Sequence, residues 1–273
     1  MADLFGAVLG DGIATAAFVF ISSVWDELGE ALSDTGIPPL AAGLAVVVAG
    51  LAVFEPIGQR LGGHGASWNP ATSACFAAAG KGGAFQHTIR TVGQTLGAVG
   101  GSAAAFYLVP SSWQGKFKSL GGGLRPGVSL TAGLTCELLL GFLLHTIVMW
   151  SISMRNKKWG FLTPLIATIF LVLAGMELTG PSLNPAVTFA WAVHHRQHAL
   201  REHLLVFWAG PILGGLLAGW VWRWGTAPTR SPSPKRKTRT PPKSKAAGKA
   251  TRSSSAVRLA VHAGNGSSSK KSE

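Results

Sequence analysis

The chain has 273 residues, of which 47% are hydrophobic and only 13% charged, with a mean hydropathy of +0.32. That is too apolar and too charge-poor for an ordinary soluble domain, and it points to a protein of the bilayer. The formal charge of +13 resembles a nucleic-acid signature only until it is divided: residues 226–273 carry +11, which leaves +2 for residues 1–225 and excludes a basic recognition module there.

A spanning helix needs about 20 predominantly apolar residues. Six stretches qualify in chain order: residues 4–24, 38–57, 88–108, 127–150, 161–176 and 203–222. No basic run precedes the first, so it is expected to be a retained span rather than a cleaved signal. Between the second and third spans, and again between the fifth and sixth, lies a short segment opening with Asn69-Pro70-Ala71 or Asn184-Pro185-Ala186. Each is too short to cross the bilayer and is expected to be a re-entrant half-helix. Asn is a preferred cap, because its side-chain oxygen accepts an orphan backbone N–H, and Pro at the first helical position has no N–H to lose.

The two boxes are 115 residues apart, and each is preceded by two spans and followed by one. An odd number of spans per repeat inverts the second half, an architecture that places a site at the membrane midplane. The predicted fold class is therefore an all-α membrane protein with six transmembrane helices and two re-entrant half-helices. Its channel domain covers 1–225, repeat one about 1–110 and repeat two about 127–225.

Asp11 and Glu137 lie in the first span of their respective halves. Acids at that depth are expected to face inward as structural groups that accept backbone N–H bonds from the re-entrant loops. A proton relay is disfavoured because no intramembrane Lys or Arg stands ready as a partner. Cys75 and Cys136 lie in apolar surroundings and form no disulfide framework.

Charge sets the expected topology. The loop at 25–37 holds Asp26, Glu27, Glu30 and Asp34 without a Lys or Arg, while 154–160 holds Arg155, Lys157 and Lys158 and the tail is densely basic. Both termini are therefore expected in the cytosol. Lys116, Lys118 and Arg125 in the presumed outer loop dissent from that assignment.

Two Asn-Pro-Ala boxes in inverted three-span halves resemble the aquaporin, or major intrinsic protein, family over residues 1 to about 225. Several stretches are most similar to the plant small basic intrinsic proteins: Gly10-Asp11 in the first span, Gly97-Ala98-Val99-Gly100-Gly101 in the third, Thr179 to Ala186 at the second box, and the basic tail. That subgroup often alters the third residue of its first box, where this chain has an intact Ala71. The resemblance implies a homotetramer with one pore per subunit.

Half-helices meeting at the midplane would turn two positive dipole ends toward one spot and repel a cation. With the Asn69 and Asn184 oxygens used in capping, their NH₂ groups are expected to be free to donate to a passing water. Family members commonly carry Arg directly after the second box, and here that position is Val187. Carrying the other filter positions across by spacing gives Ala49, Val172 and Pro181, a wider and more apolar constriction than an Arg-bearing one.

His194, His195 and His198, with His203 close behind, have helical i,i+3 and i,i+4 spacings but lack a completing Cys, so a solvated pore mouth is preferred to a metal site. His64 could line the cytosolic vestibule, and Glu177 is read as a solvated carboxylate at the outer mouth. Glycines recur every fourth residue at Gly93, Gly97 and Gly101 in the third span, and at Gly210/Gly214 and Gly215/Gly219 in the sixth. They are readable either as bundle seams or as subunit contacts.

The expected function is passive passage of water and small neutral solutes such as glycerol and hydrogen peroxide, with ions and protons excluded at the paired boxes. No metal, cofactor, nucleic acid or enzymatic chemistry is expected, since no nucleophile elbow or phosphate-cradling loop is present. The alternative is a closed-pore structural or tethering protein acting through its tail. That tail reads as disordered and suited to anionic lipid, at about 1 kcal/mol per basic residue near the surface. Ser231-Pro232, Ser233-Pro234 and Thr240-Pro241 are possible phosphorylation sites within it. Lys270-Lys271 resembles a dilysine retrieval signal, which favours the endoplasmic reticulum membrane, with the plasma membrane as alternative.

Overall fold

A computed structural model describes residues 2–60, 67–119, 122–198 and 200–226. His64, Lys270, Lys271 and the three proline-directed tail positions lie outside the described residues. The helices are α1 (Ala2–Ser22), α2 (Trp25–Ser33), α3 (Pro39–Arg60), α4 (Pro70–Ala78), α5 (Ala84–Leu108), α6 (Leu130–Ile152), α7 (Lys157–Gly175), α8 (Pro185–His194) and α9 (Gly210–Gly225). A 3₁₀ helix covers Ser111–Ser119, and a π-helical stretch, His203–Ala209, leads into α9.

α1, α3, α5, α6, α7 and α9 are the six membrane helices, and α4 and α8 are the two half-helices. Their starts follow local chemistry. Ser129 Oγ accepts from the Ala132 N–H at the head of α6, and Asn156 Oδ1 accepts from the Lys158 and Trp159 N–H groups at the head of α7. Length and hydropathy mark Leu4–Ser33, Leu130–Ile152, Lys157–Gly175 and His203–Gly225 as membrane-crossing, with a shorter apolar stretch at Pro39–Phe54. α5 is long enough at 25 residues, but His87, Arg90, Gln94 and Ser102 are buried on its inner face and lower its hydropathy.

Two elements were not foreseen. α2 follows α1 after a turn at residues 23–24, and the loop after α5 folds as the 3₁₀ helix. Lys116 of that 3₁₀ helix contacts Glu30 and lies 3.9 Å from Glu27, both on α2. The dissenting loop lysine is therefore paired with the acidic loop on the same end of the molecule. Glu30 beside it holds the Lys116 ammonium above its ordinary value. Arg125 is also engaged, its Nε donating to the Met176 carbonyl at 3.0 Å.

The glycine repeats are seams inside the bundle. A Cβ on Gly97 would collide with the Gly12 carbonyl of α1, and one on Gly215 would collide with the Ala71 carbonyl of α4. Close backbone approach at these points requires the absence of a side chain. The other faces are apolar and open, with Phe5, Leu96, Leu139 and Phe170 all more than half exposed. Such a girdle of exposed apolar residues suits lipid and not water.

Candidate functional site

The half-helices α4 and α8 are capped in the same way. Asn69 Oδ1 accepts the Ala71 N–H at 2.8 Å, and Asn184 Oδ1 accepts the Ala186 N–H at 3.1 Å, with Pro70 and Pro185 opening the helices. The residue before each Asn is bent into the left-handed region, Trp68 with φ 31° and Leu183 with φ 54°. Neither is glycine, so both positions hold backbone strain that the surroundings must impose.

That strain aims two carbonyls. Asn69 Nδ2 donates to the Leu183 carbonyl at 2.9 Å, and Asn184 Nδ2 donates to the Trp68 carbonyl at 3.0 Å. The two boxes thus hold each other reciprocally, and the N-termini of α4 and α8 converge. Nine and ten residues long, the two helices together measure about 28 Å at 1.5 Å per residue, close to the bilayer core thickness of about 30 Å. The expectation that both NH₂ groups are free needs correction, because one N–H of each amide is committed to a carbonyl of the opposite loop. An amide has two such protons, so one donor per Asn remains.

Each re-entrant loop is anchored by the acid of its half. Asp11 Oδ1 accepts the backbone N–H of Ser67 at 2.7 Å and of Trp68 at 3.4 Å. Glu137 Oε1 accepts the Thr179 hydroxyl at 2.9 Å, and its carboxylate faces the backbone N–H groups of Ser182 and Leu183. Both acids are fully buried.

The premise that no intramembrane cation stands ready is overturned for Asp11. Arg90 of α5, itself buried, places Nε 2.5 Å from Asp11 Oδ2. Arg90 lies inside the third predicted span, where the sequence offered the residue but no sign of its partner one helix away. A charge pair satisfied by two loop N–H groups is a brace and leaves no mobile proton. Gln94 of α5 extends the brace by donating to Ser67 Oγ at 2.8 Å and Ser73 Oγ at 3.0 Å. No motif marked Arg90, Gln94 or Ser73 beforehand, because their role depends on which helix α5 packs against.

The residues carried across as a filter are placed as follows. Pro181 is buried at the second loop, against Gly175. Val187 is half-buried against the apolar cluster of Val19, Phe117 and Trp191, and Val172 against that of Leu140, Leu144 and Leu183. Ala49 is exposed on α3.

The histidines disperse. His194 Nε2 lies 2.9 Å from Ser102 Oγ, while His198 and His203 pack on Phe189. Among the described residues, no group of three or more His, Cys, Asp or Glu side chains is disposed to hold a metal ion. Glu177 is exposed, and Cys75 and Cys136 are both free thiols.

Comparison with known proteins gives the family and the fold. The sequence profile of the major intrinsic protein family matches residues 1–222. The chain is 38% identical to "Aquaporin SIP1-1" of Oryza sativa subsp. japonica over 68% of its length and 76% of the relative's. It is 30% identical to "Aquaporin SIP1-1" of Arabidopsis thaliana over 87% and 99%. In three dimensions it matches the X-ray structure of the aquaglyceroporin from Plasmodium falciparum with a TM-score of 0.56, covering 81% of this chain and 94% of that one at 17% identity, which shows a shared fold. The chain belongs to the major intrinsic protein family of transmembrane channels, with the small basic intrinsic proteins among its relatives.

Proposed function

We propose that the chain is a passive pore for water and small neutral solutes that turns back ions and protons where the two boxes meet. The observation that carries this reading is the reciprocal bonding of Asn69 to the Leu183 carbonyl and of Asn184 to the Trp68 carbonyl. It fixes two helix N-termini nose to nose, each worth about half a positive charge. Against a passing cation at about 4 Å, one full charge at an effective dielectric near 20 raises the barrier by about 4 kcal/mol, roughly three decades in rate. Loss of hydration in an apolar passage adds to that barrier. A neutral molecule meets neither penalty, and the remaining N–H of each Asn can hold its oxygen.

Ala49, Val172, Pro181 and Val187 are proposed as the outer constriction, apolar and without the Arg common in the family. Such a ring admits solutes larger than water and leaves ion rejection to the boxes. The functional form is proposed to be a homotetramer, by family resemblance.

The test is stopped-flow swelling of proteoliposomes with water, glycerol and hydrogen peroxide, alongside a proton-leak dye. Wild-type protein should conduct all three neutral species without a proton leak. Asn69→Asp, which sets an acceptor opposite the Leu183 carbonyl, should lower neutral flux and raise cation leak. Val187→Arg should cut glycerol more than water. Strict water selectivity in the wild type would refute the apolar filter, and vesicles as tight as empty ones would refute the channel.

A further inference from the structure

The spacing of 115 residues between boxes puts Thr72, directly after the first box, in the place that Val187 holds after the second. A second correspondence runs alongside: Val19 lies eight residues after Asp11, and His145 lies eight residues after Glu137. In the second-box half the partners are apolar, with Val187 packed on the cluster that contains Val19. In the first-box half they are polar, with Thr72 Oγ1 3.1 Å from His145 Nε2.

His145 is fully buried on α6, and its Nδ1 lies 2.6 Å from the Gly141 carbonyl. A carbonyl oxygen only accepts, so Nδ1 bears the hydrogen and donates. In the neutral ring Nε2 is then bare, and the Thr72 hydroxyl must donate to it. An imidazolium here would be an isolated buried charge, since the two groups bonded to the ring are a carbonyl and a hydroxyl. The single proton of Thr72 is thus spent on His145, and its oxygen can offer only lone pairs to anything else. Thr72 is also the half-buried member between two buried neighbours: Ala71 backs onto Gly215, and Ser73 is bonded by Gln94.

We propose that Thr72 is a solute-orienting residue of the pore, held as a hydrogen-bond acceptor by the positioning residue His145. Beside the spare donor of Asn69, it forms a donor–acceptor pair matched to hydroxyl-bearing neutral solutes such as polyols. This rests on the channel reading and adds a polar subsite on the first-box side, opposite the apolar Val187 side.

The experiment measures glycerol and water flux in proteoliposomes of the full chain and follows their ratio. Thr72→Val should lower the glycerol-to-water ratio about three- to tenfold, the change that the loss of one hydrogen bond produces. Thr72→Ser, which keeps the hydroxyl, should preserve the ratio. His145→Leu should shift it in the same direction as Thr72→Val, and His145→Gln, which keeps an acceptor for the hydroxyl, should restore it. A merely structural role would lower both fluxes together and leave the ratio fixed.

If Thr72→Val fails to reconstitute because His145 is left unsatisfied, the Thr72→Val/His145→Leu double variant removes that orphan, and the same drop is expected. An unchanged ratio in either overturns the proposal, as does a wild type that passes water and no glycerol. Wild-type vesicles tight to water overturn the channel reading itself and this proposal with it.

Discussion

The two halves of the molecule reach one geometry with different chemistry. In the first, the loop before the box is tied down by a charged brace, Asp11 with Arg90, and by the amide of Gln94. In the second, Glu137 takes the Thr179 hydroxyl and faces loop N–H groups, and its Oε2 has no hydrogen-bond partner among the described residues. Both loops nevertheless bend at the same non-glycine position and send a carbonyl to the opposite Asn. The inverted repeat thus conserves what the convergence point needs, caps and carbonyls, and leaves the anchoring behind it free to vary.

The largest expected effect separates the two anchors. Arg90→Met strands a buried carboxylate and should destabilise the protein by about 3–5 kcal/mol. Glu137→Gln strands no cation and should cost about 1–3 kcal/mol, the loss of hydrogen bonds alone. Denaturant unfolding of both variants in one detergent compares them, and equal losses would break the distinction.

Next come the seams. Gly97→Val drives a side chain into the Gly12 carbonyl and should cost about 1–3 kcal/mol. Gly100→Ala meets nothing within 4 Å and should be neutral or stabilising by up to about 1 kcal/mol. Thermal melts of the two resolve the difference, and a harmless Gly97→Val would show that the α1–α5 approach can relax.

Where the halves agree, the variants should agree. Asn69→Ala and Asn184→Ala each remove one cap and one cross-box bond, and each should cost about 0.5–2 kcal/mol by the same unfolding assay. A loss confined to one would mean that the boxes do not share the load.

The smallest effect is at the Lys116 pairs, which sit partly in solvent. Glu30 raises the Lys116 value above the ordinary 10.5, so this stabilisation is fully present below pH 10.5 and is lost as pH rises past the folded-state value. A partly exposed pair contributes at most about 1 kcal/mol and is screened by salt. A pH titration of the melting temperature on wild type and Lys116→Gln should therefore show curves that differ slightly at neutral pH and converge in alkali.

Much of this was legible in the sequence because the bilayer permits few solutions. Apolar runs of fixed length must be helices, and a helix start that falls between them at Asn-Pro must be shielded by protein. The starts of α6 and α7 were read from apolar runs at 127 and 161, and the structure moves them to Leu130 and Lys157, where Ser129 and Asn156 cap the first turn. α5 was read at 88–108 and runs Ala84–Leu108, but the purpose of its buried Arg90, Gln94 and His87 was not legible until its neighbours were in place. The π-helical entry to α9 carried no local signal, because a residue inserted into a helix ladder leaves no composition trace.

The sequence by itself determined the spans, the caps, the inverted repeat and the charge division between body and tail, since each follows from local composition or spacing along the chain. Only the tertiary structure decided that Arg90 meets Asp11, that each Asn spends one proton on the other's loop, and that Thr72 faces His145 where the other half has valine. Those contacts join residues 73 to 116 positions apart. No local propensity encodes such a pairing, which exists once packed helices bring both ends within hydrogen-bond reach.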